Sequence, residues 1–177
     1  QKAIRENHHY LTAAWIDHAN RTGATVLGLA AKTIPEELVD DLMDVCKYHA
    51  NIPITNCHKE FKLVSIERKQ FVAALLRLAD ELDIDGHRVS IETVKNFKLD
   101  PNNSVYWWLH NRTVVIFSAR NMITLTIWLN PYDAEHYGSF VYDAFIARFY
   151  LKNRPVLTVL ARNDVPILIS DDSRVVE

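Results

Sequence analysis

Apolar residues recur at helical spacing through the first half of the chain. Ile4, His8, Leu11 and Trp15 predict an amphipathic helix from Ala3 to about Ala19. Asn20-Arg21-Thr22-Gly23 breaks it, and a short apolar segment from Thr25 to Ala31 follows. Thr33-Ile34-Pro35-Glu36-Glu37 predicts the next helix start, with proline at entry and two acids that suit the helix dipole. Its apolar stripe is Leu38, Leu42, Val45 and His49. A loop from Asn51 to Lys62 carries Pro53, Cys57 and His58. The third helix, Ser65 to Ile84, is the clearest, with Ser65 as its N-cap. Phe71, Leu75, Leu78 and Leu82 line one face, and Val72, Leu76, Ala79 and Asp83 the adjacent one. An apolar surface that broad predicts burial from several sides.

After Gly86 the period changes. Val89, Ile91 and Thr93 alternate as in a strand, and Asp100-Pro101-Asn102-Asn103 is a turn cluster. Val105 to Leu109, Thr113 to Ser118 and Met122 to Leu129 predict three strands rich in Val, Ile, Thr and Trp. The links His110-Asn111-Arg112 and Ala119-Arg120-Asn121 suit hairpins. Asp133 to Leu151 is again helical, and Val156 to Leu160 and Ile167 to Ile169 are candidate closing strands. The expected class is α+β, a helical segment over 1–87 followed by a small, mainly antiparallel sheet with a long helix over 88–177.

Composition narrows the partners. The 177 residues carry 20 Lys and Arg against 22 Asp and Glu, so no basic excess points to a general nucleic-acid surface. No apolar run approaches the roughly 20 residues of a membrane-spanning helix, and no signal peptide opens the chain. Two cysteines, Cys46 and Cys57, make no disulfide framework; a reducing, cytoplasmic setting is the simpler expectation. The helical pattern is already running at Gln1, so residues of the same fold are expected upstream.

The chemistry lies among the eight histidines and Asp80. His8 sits on the Ile4/Leu11/Trp15 stripe, His49 ends the Leu38/Leu42/Val45 stripe, and Asp80 follows Ala73 and Leu76. An ionised Asp on a buried helix face is costly unless it is paired or binds a metal. Three helices each turning one ligand inward would build a metal site, with His9 as the alternate to His8. Against this, a helix-end histidine is often merely hydrogen-bonded, and Asp80 has Arg77, Arg68 and Arg5 as ion-pair candidates.

The segment FVAALLRLADELDIDGHRV, Phe71 to Val89, resembles the last helix of HD-superfamily metal-dependent phosphohydrolases. The resemblance puts Asp80 at that family's final metal-binding aspartate. IRENHHYLTAAWI, Ile4 to Ile16, is similar to a histidine-bearing helix of several HD branches, and DVCKYHA, Asp44 to Ala50, to another that ends in His49. The order and spacing fit from Ile4 to Arg88. The following α+β half looks like the extension of a bacterial HD branch that occurs with Hsp90-like ATPase modules. The resemblance implies a divalent metal (Mn, Fe, Mg or Zn) on His8, His49 and Asp80, and a nucleotide or related phosphoester as ligand. It matches Arg88 to an arginine that follows the family's LADELD segment; Arg88 or Arg5 would orient phosphate oxygens. Ion pairs with Glu81, Asp83 or Asp85 are the alternative. The adjacent His-Asp pair that names the family is missing from this sequence and is expected upstream.

Other constellations are weaker. Cys46, His49, Cys57 and His58 can be drawn as a zinc site, but the adjacent second pair makes shared tetrahedral coordination awkward. Cys46 reads better as a packed thiol. No phosphate-binding glycine loop or nucleophile elbow occurs. Trp107, Trp108 and Trp128 suit either core packing or stacking against a base or a partner. Two function classes follow. One is a metal-dependent phosphohydrolase. The other is an inactive HD-like module that senses a nucleotide or binds a partner, whether an ATPase module or a second copy.

Overall fold

The computed structural model describes residues 2–23, 25–26, 29–30, 35–50, 52–60, 68–84, 108–109, 111–118, 120–170 and 174–176. It is an α+β protein, as the pattern predicts. Two compact units divide it, Gln1–Asp80 with Thr158–Asp164, and Glu81–Leu157 with Val165–Glu177.

In the first unit, helix α1 (Lys2–Thr22) runs past the expected break at Asn20. It stops where Gly23 adopts φ 70°, a left-handed conformation that glycine reaches without a Cβ clash. The two-residue strands β1 (Thr25–Val26) and β2 (Leu29–Ala30) pair antiparallel after it. Helix α1 packs against α2 (Glu36–Tyr48), which enters through Pro35. The buried face of α1 is not the stripe expected from spacing. His9, Ala13 and Ala19 are buried, whereas Leu11 and Trp15 are each 52% exposed. Small residues thus take the buried positions of α1, and the larger Leu11 and Trp15 lie on its exposed flank.

Helix α3 (Lys69–Leu82) corrects the expected broad burial in the same way. Lys69, Ala73, Ala74, Arg77 and Leu78 are buried, and Val72, Leu75 and Leu76 are exposed. The predicted N-cap, Ser65, and the predicted stop, Asp85-Gly86, lie outside the described residues. Polar ties hold α3 to α2 and to the loop after it. The Lys69 ammonium donates to Asp41 Oδ1 at 3.0 Å and Asp44 Oδ2 at 3.1 Å, with Lys69 and Asp41 almost wholly enclosed. Gln70 Nε2 donates to the carbonyls of Ile54 and Cys57, and an Arg77 guanidinium nitrogen donates to Ile52 O at 2.8 Å. Burial alone would lower the Lys69 pKa; its hydrogen bonds to Asp41 and Asp44 outweigh that and hold it above the ordinary value.

In the second unit, β3 (Thr113–Ser118) and β4 (Met122–Trp128) form the antiparallel hairpin expected from their spacing, in the register Ser118↔Met122 to Thr113↔Ile127. Asn121 takes φ 56° at its three-residue link, the left-handed position such loops use. Ile123, Leu125 and Ile127 alternate inward on β4 and are fully buried. Leu109, Ile127, Leu129, Val141 and Ile146 form a core cluster against which Trp108 packs. Short strands β5 (Leu168–Ile169) and β6 (Arg174–Val176) pair parallel with β4 at successive positions.

The expected long helix is longer than its pattern. Helix α4 (Pro131–Val141), capped by Asn130 accepting from the Asp133 amide, continues through a π-helical turn, Tyr142–Ala147, into α5 (Arg148–Arg162). Val156 to Leu160 is therefore helical, not a closing strand. Pro155 does not stop the helix. It frees the Leu151 carbonyl, but both residues are exposed, so water can satisfy that group. Phe149, Asn153, Val156, Val159 and Leu160 are the buried positions. Trp108 and Leu109 are helical rather than strand, and Val105 to Trp107, like the strand predicted at Val89 to Thr93, lie outside the described residues.

Two predictions follow from the Lys69 cluster. Lys69→Met will lower unfolding stability by about 3–5 kcal/mol, because it removes the buried ammonium to which Asp41 and Asp44 both bond. Adding Asp41→Leu will restore much of that loss in urea titrations. Burial also raises the Cys57 thiol to about 11. A raised folded value favours the fold fully below the ordinary thiol range and loses that contribution as pH climbs through about 11. Cys57→Ala will accordingly flatten the loss of stability measured above about pH 8.5.

Candidate metal centre

The groups that converge come from three helical segments of the first unit. His8 lies on the second turn of α1, His49 is the C-cap of α2, and Asp80 lies on the last turn of α3. One ligand atom of each lies within 4.8 Å of the other two. His49 is buried and Asp80 is exposed. The desolvation argument that singled out Asp80 in the sequence is thus corrected, since its carboxylate faces water. What marks it is its convergence with two imidazoles. Arg77, an expected ion-pair partner for Asp80, donates to a backbone carbonyl, and Asp80 makes no ion pair among the described residues.

The tautomers follow from hydrogen bonds. His49 Nδ1 lies against the carbonyl oxygen of Cys46 three residues earlier. A carbonyl can only accept, so Nδ1 carries the proton and Nε2 of the neutral ring presents a lone pair. A backbone carbonyl holding the far nitrogen is the arrangement that orients metal-bound histidines. His8 Nε2 stands 3.1 Å from His49 Nε2. Without an ion, His8 Nε2–H donates to its neighbour. With the His8 proton on Nδ1, both lone pairs face the same space. Two nitrogens each about 2.1 Å from one ion stand about 3.0–3.4 Å apart, so the observed spacing fits a shared cation. Two imidazoles and a carboxylate suit Mn, Fe or Zn and, less well, Mg.

His9, the alternate to His8, is elsewhere. Its ring is buried on the α2-facing side of α1, with centroids 5.6 Å from His8 and 6.4 Å from His49. Its Nδ1 has no hydrogen-bond partner. Burial first, and then the two neighbouring imidazoles, lower its pKa, which favours the neutral ring. The side chain of Arg5 and all of Arg88 lie outside the described residues. Neither cysteine belongs to the converging group: burial raises both thiols, and Cys46 contributes through its carbonyl. Sequence patterns cannot reveal that carbonyl, although a helix-end histidine three residues after any residue is placed to reach back to it.

A model of the HD-CE family matches residues 1–126. The chain belongs to the HD-CE family. The match spans the three segments that carry His8, His49 and Asp80, all of β3 and β4 as far as Thr126. No curated protein and no solved structure matches the chain. No adjacent His-Asp pair occurs in the sequence of this HD-CE chain; the residue after His49 is Ala50, which is buried. Among the described residues the candidate centre brings together three side chains that could hold a metal ion, His8, His49 and Asp80.

The two adjacent histidines separate cleanly by experiment. His8→Ala will lose bound metal after loading and gel filtration, read by elemental mass spectrometry. His9→Leu, folded by circular dichroism, will retain it. The reverse result would exchange their roles.

Proposed function

We propose that this HD-CE chain is an HD-type metal-dependent phosphohydrolase acting on a nucleotide or a related phosphoester. The observation that carries the reading is the convergence of His8, His49 and Asp80 within 4.8 Å. When bound, a divalent ion supplies Lewis acidity toward a phosphate oxygen and lowers the pKa of a coordinated water toward neutrality. The chain's own residues do the rest. Cys46 O fixes the His49 ring, which leaves Nε2 unprotonated. His8 supplies the second neutral donor, so the ligand set adds no positive charge. Asp80 supplies one negative charge at the exposed side, from which a charged ester can approach. Arg5 and Arg88 are proposed to orient its phosphate oxygens.

The lack of an adjacent His-Asp pair in this sequence favours a second reading, in which the same three groups hold a metal–nucleotide complex without turnover. In that case the domain acts as a sensor beside an Hsp90-like ATPase module, as the sequence resemblance implies.

One experiment separates the two. The protein is reconstituted in turn with Mn, Fe, Mg and Zn, and phosphate release is measured over a panel of nucleotides. Turnover that falls by more than about a hundredfold in Asp80→Ala, beyond the loss typical of a supporting group, supports the enzyme. Stoichiometric metal with nucleotide binding but no release supports the sensor. No metal retention in the wild type overturns both.

A further inference from the structure

The face of α1 that carries His8 is apolar yet uncovered. Leu11 and Trp15 follow His8 at helical positions i+3 and i+7, one and two turns on, and both are 52% exposed. Helical side chains lean toward the N-terminus, so Leu11 and Trp15 cover surface on the His8 side of their own Cα atoms. His18, a further turn along, packs obliquely beside Trp15, with centroids 5.8 Å apart and planes tilted by 34°. The same is true of α3. Leu76, one turn before Asp80, is 40% exposed, and Val72, one turn earlier, is 38% exposed. Two of the three metal-binding groups are thus continuous with exposed apolar side chains. A dry protein interface is a poor match for this strip, because imidazoles of His8 and His18 and the Thr12 hydroxyl interrupt it. A half-polar planar ring is a better one. Trp15 lies about 10 Å along α1 from His8 at about 1.5 Å per residue, far enough for a sugar to separate a metal-held phosphate from a stacked ring.

From this we infer that Trp15, with His18 and Leu11 beside it, is the platform for the aromatic base of the phosphoester. The inference rests on the proposed metal centre and narrows its ligand to a nucleoside phosphate. Trp15 is a specificity residue: it acts on the base and leaves the metal alone.

The test loads the full chain with Mn²⁺ and titrates it with two probes, adenosine 5′-thiomonophosphate and ribose 5-phosphate. The expected result is about tenfold tighter binding of the adenosine probe, within the range of one base–aromatic stack. Trp15→Ala will abolish that preference and Trp15→Phe will keep most of it, with metal content the same in all three proteins. Equal affinities in the wild type, or an undiminished preference in Trp15→Ala, would falsify the inference while leaving the metal centre intact. Failure of the wild type to hold Mn²⁺ removes the metal-centre reading and the platform with it. If Trp15→Ala instead turns a dimer into a monomer in sedimentation, with no base preference in the wild type, the strip is a contact between copies and the inference is overturned.

Discussion

The Lys69 ammonium is enclosed between two carboxylates of α2, and the positions of the converging groups on α2 and α3, His49 and Asp80, depend on that tie. A buried ammonium demands full compensation, and Asp41 and Asp44, one turn apart on α2, supply it together. The start of α3 is pinned to the middle of α2. From there contact moves forward along both segments. Gln70 and Arg77 reach the carbonyls of Ile52, Ile54 and Cys57, and Asp80 arrives beside His49 at the end of α2. Sliding α3 by one turn would shift Asp80 by about 5.4 Å, more than the 4.8 Å within which the ligand atoms lie.

Two devices then prepare the imidazoles. The Cys46 carbonyl sets the His49 tautomer without using a charged group, and burial with the neighbouring imidazoles lowers the pKa of His9, which favours its neutral ring. The centre is therefore a cluster of neutral nitrogen donors with one carboxylate, which attracts a cation more readily than an anion. Burial of His9, Ala13 and Ala19 on α1 turns Leu11 and Trp15 outward. His9 and the small residues take the covered face of α1, which leaves the exposed strip on the side that carries His8.

The helices α1, α2 and α3, the β3–β4 hairpin and the α+β class were legible because each rests on local periodicity or turn chemistry. The triad was legible as well, through three polar residues on helix-forming segments that resemble a known family. The reason given for Asp80 was not the right one: spacing marks a face of a helix but not whether that face is covered. The same gap explains Leu11, Trp15, Val72 and Leu76, all apolar at regular intervals and all exposed. Periodicity cannot tell a core-facing stripe from an uncovered one when both sides of a helix carry apolar groups.

Val156 to Leu160 shows the opposite limit. Its apolar run after Pro155 reads as a strand, but residues 156, 159 and 160 share one helical face that is buried, and burial of that face outweighs local propensity. What the sequence determined by itself was the set of secondary elements with strong local signals and the chemical types of the donors. Tertiary structure decided which face of each helix is covered, which of two adjacent histidines joins the centre, and which nitrogen of His49 is free. Those choices depend on the Lys69 tie and the Cys46 carbonyl, contacts whose geometry exists only once the helices have packed.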